Sequence, residues 1–448
     1  MNSVLDGLGK DHIAIARAVR LSIGADEVLF HAHGFWRWRD RGVWSKVEDR
    51  EIQIAIHAQL ERGGVAKFGR STVDSVMDLL RTECYRPEHE FNACTDVINT
   101  LSGTITWSED LKAWSQRPHR REDHLTVQIP VAYDPGARCP KFLDFLQQIF
   151  AGDKDAADKA LVTMEMIGYS ILTSCRFEKF ILLIGGGANG KTVLLKVVET
   201  LVGSSMVCAV QPSQLDNKFQ RAHLAGKLVN IVTEIAEGAE IADAQLKAIV
   251  SGELTTAEHK HRPPFDFHPF ATCWFATNHL PHSRDFSEAM FRRAIVIQFH
   301  HRFDGANCDP NLIDKLKTEL PGILSLALGA IRGVILRGSF TEVSSSTAAK
   351  REWQLQCDQA AQYFEERLQK APASKVGSTA LYQDYRDWAT EQGVNRVLSQ
   401  KKLIQRLVNR YGVVPERDMH HRYVAGIEFQ HAIAAGNVVN FPEREGRT

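Results

Sequence analysis

Paired cysteines are missing from this chain. Its eight cysteines stand at 84, 94, 139, 175, 208, 273, 308 and 357, with no C-x-x-C among them. That excludes a zinc ribbon or a disulfide framework and suits a reducing compartment. Charge of one sign is missing too: Lys plus Arg and Asp plus Glu both number 54. No basic excess advertises nucleic acid, although a ring can keep its basic groups inside a channel. No apolar run approaches the roughly 18 residues of a membrane span, and the start has neither the basic residues nor the apolar stretch of a signal peptide. The expectation is a soluble, intracellular protein without a membrane partner. No internal repeat is found. At 448 residues the chain is too long for one average domain.

What is present is a phosphate-loop pattern. Gly185, Gly190, Lys191 and Thr192 satisfy G-x-x-x-x-G-K-[ST], with Gly186, Gly187, Ala188 and Asn189 between them. Glycines let backbone N–H groups turn inward around phosphate oxygens, and the following helix adds its positive end. Lys191 is placed for β/γ-phosphates, Thr192 for Mg²⁺, and Val193 opens the helix. An apolar run over 180–184 precedes the loop, as in a buried parallel strand. Helical apolar spacing follows and stops at Gly203.

Three further apolar runs, 226–234, 272–278 and 294–299, imply an α/β sheet. The first ends in Glu234, 43 residues beyond Lys191. A carboxylate at a neighbouring strand's end would hold the Mg²⁺ shell or polarise the attacking water, and Glu237 would share that work; the alternative is a surface Glu capping the next helix. The second run ends in Asn278, a candidate for orienting water or γ-phosphate, or an ordinary turn before Pro281. The third is preceded by Arg292 and Arg293. These lie on the wrong side to act in cis but are placed to reach a neighbouring subunit's site, or else form an ion pair. The sequence does not choose between them.

The region 1–145 reads as α+β, with hairpins around 30–44 and 97–107 and helices over 51–61 and 71–84. The segment 117–124 is polar; its arginines either touch phosphate or sit in a solvated loop. Helices are expected over 142–150 and 156–174. A nucleotide-binding unit spans 146–340, a linker and a helix broken by Pro372 fill 341–371, a small domain covers 372–430, and 431–448 is a tail. Between 254–256 and 265–267 a hairpin is expected to carry Lys260, His261 and Arg262 at its tip; the alternative is an exposed basic turn. In the small domain, a helix over 381–389 precedes one capped by Ser399, whose apolar face (Leu403, Leu407) opposes Lys401, Lys402, Arg406 and Arg410. With a strand over 422–427 this describes a winged helix. The basic face suits a DNA groove, or is simply solvated.

The order Gly-Ala-Asn-Gly-Lys-Thr, Thr-Glu, Leu-Lys-Ala-Ile-Val-Ser-Gly-Glu (246–253), Ala-Thr-Asn and Phe-Arg-Arg resembles superfamily 3 helicases. Among these it is similar to the phage and plasmid D5-like, phage P4 primase-helicase type. The resemblance implies an AAA+-like core binding ATP and Mg²⁺, an α+β N-terminal region and a C-terminal winged helix. It implies a hexameric ring that translocates 3′→5′ on single-stranded DNA and unwinds duplex DNA during replication in a bacterial host's cytoplasm or nucleoid. Lys247 and the hairpin tips would line the channel, gripping backbone charge. The family often carries an N-terminal primase; none is expected here, so a separate primase or polymerase becomes a partner. A binding-class alternative is an origin-binding initiator or helicase loader that unwinds little. A small-molecule kinase would leave the hairpin and the C-terminal module without a purpose.

Overall fold

A computed structural model describes residues 11–430, apart from 33, 40, 66, 284, 286–287, 304–308 and 395–396. The expected tail, 431–448, lies outside the described residues. The chain divides into two compact units. The first runs to His282 and resumes over Arg292–Thr347; the second joins Ser283–Phe291 to the residues from Ala348 onward.

The first unit opens with helix α1 (His12–Ser22), the antiparallel strands β1 (Val28–His31), β2 (Gly34–Arg39) and β3 (Val43–Val47), and helices α2 (Asp49–Arg62) and α3 (Arg70–Glu83). Asp11 starts α1 by accepting the Ile13 and Ala14 amides at 3.0 and 3.1 Å. The apolar stripes of the three helices close over Phe35 and Val47 in one small core. A second antiparallel sheet follows: β4 (Val97–Thr100), β5 (Gly103–Ser108) and β6 (Ala113–Arg117). Both expected hairpins are present, and β6 extends the second.

Helices α4 (Pro140–Ile149) and α5 (Ala156–Tyr169) lead into β7 (Phe180–Ile184) and α6 (Lys191–Val202). Then come β8 (Val207–Cys208), α7 (Lys218–Arg221), β9 (Val229–Val232), α8 (Asp243–Val250), the short strands β10 (Thr255–Ala257) and β11 (Phe265–Phe267), and β12 (Thr272–Thr277). Helix α9 (Glu288–Phe291) belongs to the second unit. Strand β13 (Ala294–Gln298) and helices α10 (Leu312–Lys317) and α11 (Leu320–Arg337) complete the first. Helix α5 stops at Tyr169, five residues short of the expected end at 174. Ser170 turns its hydroxyl onto the Met166 carbonyl and accepts the Trp274 indole N–H at 2.8 Å.

Five strands form an all-parallel sheet in the order β13-β7-β12-β9-β8. The acid-bearing strand β9 is therefore not the neighbour of β7, as the sequence suggested; β12 stands between them. Strand β12 is buried along its whole length, so it can take an interior place. Helix α11 packs on α5 where Gly168 faces it: a Cβ there would lie 2.4 Å from the Ala327 carbonyl oxygen. The Trp114 indole on β6 donates to the Leu328 carbonyl at 3.1 Å. Ile98 and Ile105 join the same core as Phe142 and Leu183. The expected boundary at 145 thus falls inside α4, because one apolar core continues across it. By length and composition α11 could cross a membrane, yet its Ile323, Leu324, Leu328 and Ile331 are buried in this core.

Helix α12 (Ser344–Cys357) runs across the boundary between the units, so the expected linker is already helical from Ser344. In the second unit α13 (Gln359–Arg367) is followed by β14 (Leu368–Gly377), α14 (Ser378–Glu391), α15 (Gln400–Tyr411), β15 (Val414–Arg417) and β16 (Arg422–Phe429). The helix ends at Arg367, before Pro372. That proline sits in a register shift of β14, an edge strand of the sheet β14-β16-β15, where its missing N–H does least harm. Leu403 and Leu407 of α15 are buried beside Tyr363, Tyr385 and Trp388. Ser399 holds the N-cap position of α15, but its side chain makes no capping hydrogen bond.

Candidate functional site

The carboxyl ends of β7, β9 and β12 converge on a cavity of about 660 Å³, within the range of small-molecule sites. Its lining includes Gly187, Ala188, Asn189, Gly190, Lys191, Thr192 and Val193, together with Glu234 and Asn278. The register explains why. Thr277 lies opposite Ile184, so Asn278 emerges beside the start of the loop; Phe275 lies opposite Val232, so Glu234 emerges at the same edge.

The loop's glycines are unequal. Gly190 has φ +89°, and a Cβ there would meet Ile149 Cγ2 at 2.5 Å. Gly185 would crowd the Phe299 carbonyl oxygen at 2.7 Å, whereas Gly186 faces open space. Neither Gly185 nor Gly186 lines the cavity; they set the path of the loop. The Phe303 amide clamps its crest, donating to the Ala188 carbonyl at 2.8 Å.

Lys191 opens α6, whose N-cap, Gly190, brings no side-chain capping hydrogen bond. The first residues of that helix line the cavity, and free amides at a helix N-terminus attract anions. Lys191 is largely buried, and burial holds its ammonium below the usual lysine range. Its Nζ folds back on the loop, donating to the Gly185 carbonyl and, at 3.1 Å, to Asn189 Oδ1. The Asn189 Nδ2 is buried without a partner among the described residues. A buried amide donor beside a buried cation is costly when empty and fits a polyanion.

Glu234 is exposed to the cavity, and Gln211 Nε2 holds its carbonyl at 3.2 Å. Glu237 is exposed but does not line the cavity. Among the described residues no three His, Cys, Asp or Glu gather to hold a metal. An ion held by Thr192 and Glu234 would therefore take its other ligands from phosphate and water. Phe145 and Gln148 of α4, Thr233, Thr277, Asp309 and Leu312 also line the site. No local pattern announces them, because α4 and α10 reach it only through packing.

Arg293 and Arg292 separate cleanly. Arg293 is nearly buried; its guanidinium pairs with Glu178 at 2.7 Å and donates to Ser251 Oγ at 2.9 Å. It therefore serves this fold and is not placed to reach another subunit. Arg292 is exposed, its carbonyl held by the Lys179 ammonium.

Strands β10 and β11 pair antiparallel, with Thr255 opposite Phe267, and Lys260, His261 and Arg262 stand exposed at the tip. His261 adopts φ +64°, a left-handed turn. The hairpin's base is tied to the segment after β8. Arg221 donates to the Thr256 carbonyl at 2.8 Å and to those of Leu215 and Asp216 at 2.9 and 3.0 Å, and Lys218 pairs with Glu258. Lys247 lies half-buried on α8.

In the second unit Lys401 and Lys402 are exposed. Arg406 and Arg410 instead reach the buried Asp358 carboxylate at 3.4 and 3.5 Å. Asp358 also caps α13 through the Ala360 amide. Arg406, expected on a DNA-facing surface, is thus tied to an internal carboxylate that would otherwise be buried and unpaired.

Residues 16–151 match the family model described as D5 N terminal like, and residues 183–293 match a family of unknown function, DUF5906. The putative helicase 184R of Invertebrate iridescent virus 6 is 23% identical over 235 residues, covering 47% of this chain and 23% of that protein. An uncharacterized mitochondrial protein, ymf21, of Marchantia polymorpha is 28% identical over 113 residues, 25% of this chain and 61% of that one. The chain thus spans less than two thirds of either curated relative. The A form apo structure of the NrS-1 C-terminal region is similar with a TM-score of 0.49 at 12% identity, over 93% of this chain and 99% of that chain. Its N-terminal region is thus similar to the D5 N-terminal family, and part of the chain is similar to a viral protein named as a putative helicase.

Proposed function

We propose that this protein is an ATP-hydrolysing DNA helicase of superfamily 3, with an AAA+-like P-loop core and a C-terminal winged helix, working as a hexameric ring. One observation carries the reading: residues Gly187 to Thr192 of the glycine-rich loop, Glu234 and Asn278 meet at one cavity. In this reading the amides at the start of α6 and the Asn189 Nδ2 receive the phosphates. Lys191 leaves the Gly185 carbonyl for the β/γ-oxygens. Glu234 polarises the attacking water and Asn278 orients it. Mg²⁺, held by Thr192 and Glu234, would supply charge neutralisation at the phosphate oxygens. Arg292 would complete the site of an adjacent copy.

The hairpin tip offers Lys260, His261 and Arg262 to a strand's phosphates, a contact that carries no base sequence. Its base is roped to the segment that also holds Glu234 through Gln211. That links the Glu234 backbone to the hairpin base through the chain from Gln211 to Arg221 and a hydrogen bond at each end. Lys401 and Lys402 remain the candidates for duplex contact.

The test is ATP turnover with and without single-stranded DNA, beside native mass with an ATP analogue. DNA-stimulated turnover and a ring are expected. A solitary chain whose turnover ignores DNA would refute the proposal. Footprinting of an origin fragment without displacement of a forked strand would favour the initiator instead.

A further inference from the structure

A second cavity, of about 520 Å³, opens in the N-terminal region and shares no lining residue with the first. Three guanidinium groups come to it from separate places: Arg20 in the last turn of α1, Arg86 just after α3, and Arg121 after β6. The imidazoles of His89 and His124 join them, ring centroids 4.3 Å apart, with His31 5.7 Å from His89. Two carboxylates also line it, and both lean on Arg121: Glu122 at 3.2 Å and Asp26 at 4.0 Å. Arg20 has Glu83 at 3.9 Å, while Arg86 spends one N–H on the Tyr85 carbonyl. Among the lining residues three guanidinium groups face two carboxylates, a formal excess of one positive charge, with Glu83 beside Arg20.

The walls are built. Val28, Leu29 and Trp44 form an apolar floor, and the Trp44 indole donates to the Arg121 carbonyl at 2.9 Å. The Trp44 amide holds the Leu125 carbonyl at 2.8 Å and the Asn92 amide holds that of His124 at 3.1 Å. Arg117 grips Asp123 with two bonds of 2.7 Å. The segment 117–124 is therefore a pinned wall rather than a solvated loop, and it fixes His124 in a left-handed backbone at φ +49°. Burial, then His124, His31 and Arg86, push His89 down to about 4, and burial lowers His124 as well. The His89 Nε2 is buried and has no partner among the described residues. Among the described residues no group of three His, Cys, Asp or Glu side chains is placed to hold a metal ion.

We propose that this cavity is a binding site for a nucleoside phosphate, with Arg20, Arg86 and Arg121 on the phosphate and the base against His124 and the apolar floor. Three guanidinium groups on one cavity offer charge-assisted donors to a phosphate, and the volume suits a single nucleotide. The same chemistry is presented by a free mononucleotide and by one nucleotide of a single strand. The inference stands apart from the motor reading, since it uses none of the residues of the glycine-rich loop.

The experiment uses the full chain with ring-labelled histidine, resonances being assigned with His89→Gln and His124→Gln. Thymidine monophosphate is titrated, followed by oligothymidylate. The monophosphate is expected to raise the titration midpoints of His89 and His124, since a neighbouring anion favours imidazolium. Arg86→Ala and Arg121→Gln should each weaken it by about tenfold, as for one charge-assisted contact. Triphosphate binding at the glycine-rich loop should stay unchanged. Displacement of the monophosphate by oligothymidylate assigns the site to strand binding; no competition assigns it to the free nucleotide. If neither probe moves either histidine, or if the exposed Arg86 can be removed without loss of affinity, the proposal is wrong.

Discussion

Replacing Gly190 by alanine should be far more harmful than replacing Gly186, although both are glycines of one loop. At Gly190 the backbone is left-handed, φ +89°, which costs a residue with a Cβ roughly 1–2 kcal/mol. The added methyl would also lie 2.5 Å from Ile149 Cγ2 and 3.3 Å from Phe145 Cε2. Both neighbours are buried on α4, so overpacking adds about 1–3 kcal/mol. The sum, about 2–5 kcal/mol, is a large share of a typical domain's stability. The loop can escape that strain only by moving, and moving it displaces the Lys191, Thr192 and Val193 amides. Gly186→Ala meets no atom within 4 Å and has no positive φ, so about 0.5 kcal/mol or less is expected. Thermal unfolding and titration with a fluorescent ATP analogue would measure both variants. Gly190→Ala is expected to unfold earlier and lose nucleotide; Gly186→Ala should match the parent. If Gly190→Ala binds nucleotide as the parent does, the steric account of this loop fails.

Three further outcomes are expected. Lys260→Ala should leave basal ATP turnover within about twofold while abolishing its stimulation by single-stranded DNA, because the tip is exposed and makes no part of the cavity; equal loss of both rates would contradict the hairpin's role. Arg292→Ala should fold normally and poison mixed assemblies, with activity restored in part by mixing with Lys191→Ala, whereas Arg293→Ala should lower the melting temperature by stranding Glu178 and Ser251, at about 1–3 kcal/mol; unfolding followed by mixing assays checks both. His89 lies below its unfolded value, so the unfolded chain binds the extra proton between about pH 4 and 6.5. Its contribution to stability is complete above that window and fades as pH falls through it, and His89→Gln should flatten that slope in acid unfolding curves.

Local physics made much of this chain legible before any tertiary contact was known. Glycines at 185 and 190 followed by Lys191 and Thr192 point to a phosphate loop, and the apolar runs 180–184, 226–234 and 272–278 read as buried strands. The hairpin tip at Lys260 to Arg262 follows from its spacing between two short segments, 254–256 and 265–267. Other readings failed where distant groups decided the outcome. Pro372 looked like a helix breaker, yet the chain was already a strand whose bulge tolerates it. Arg406 looked like part of a solvent face until Asp358 came to lie beneath it.

The sequence by itself determined the glycine-rich loop, the strands that flank it and the basic turn, because glycine sterics, periodicity and charge act over a few neighbouring residues. Only the tertiary structure decided that β12 separates the loop strand from the acid strand, and that Arg293 is tied to Glu178 while Arg292 is exposed. It also brought Arg20, Arg86 and Arg121 round one cavity. Strand order and the pairing of buried charges are set by which surfaces exclude water together, and that spans the whole chain.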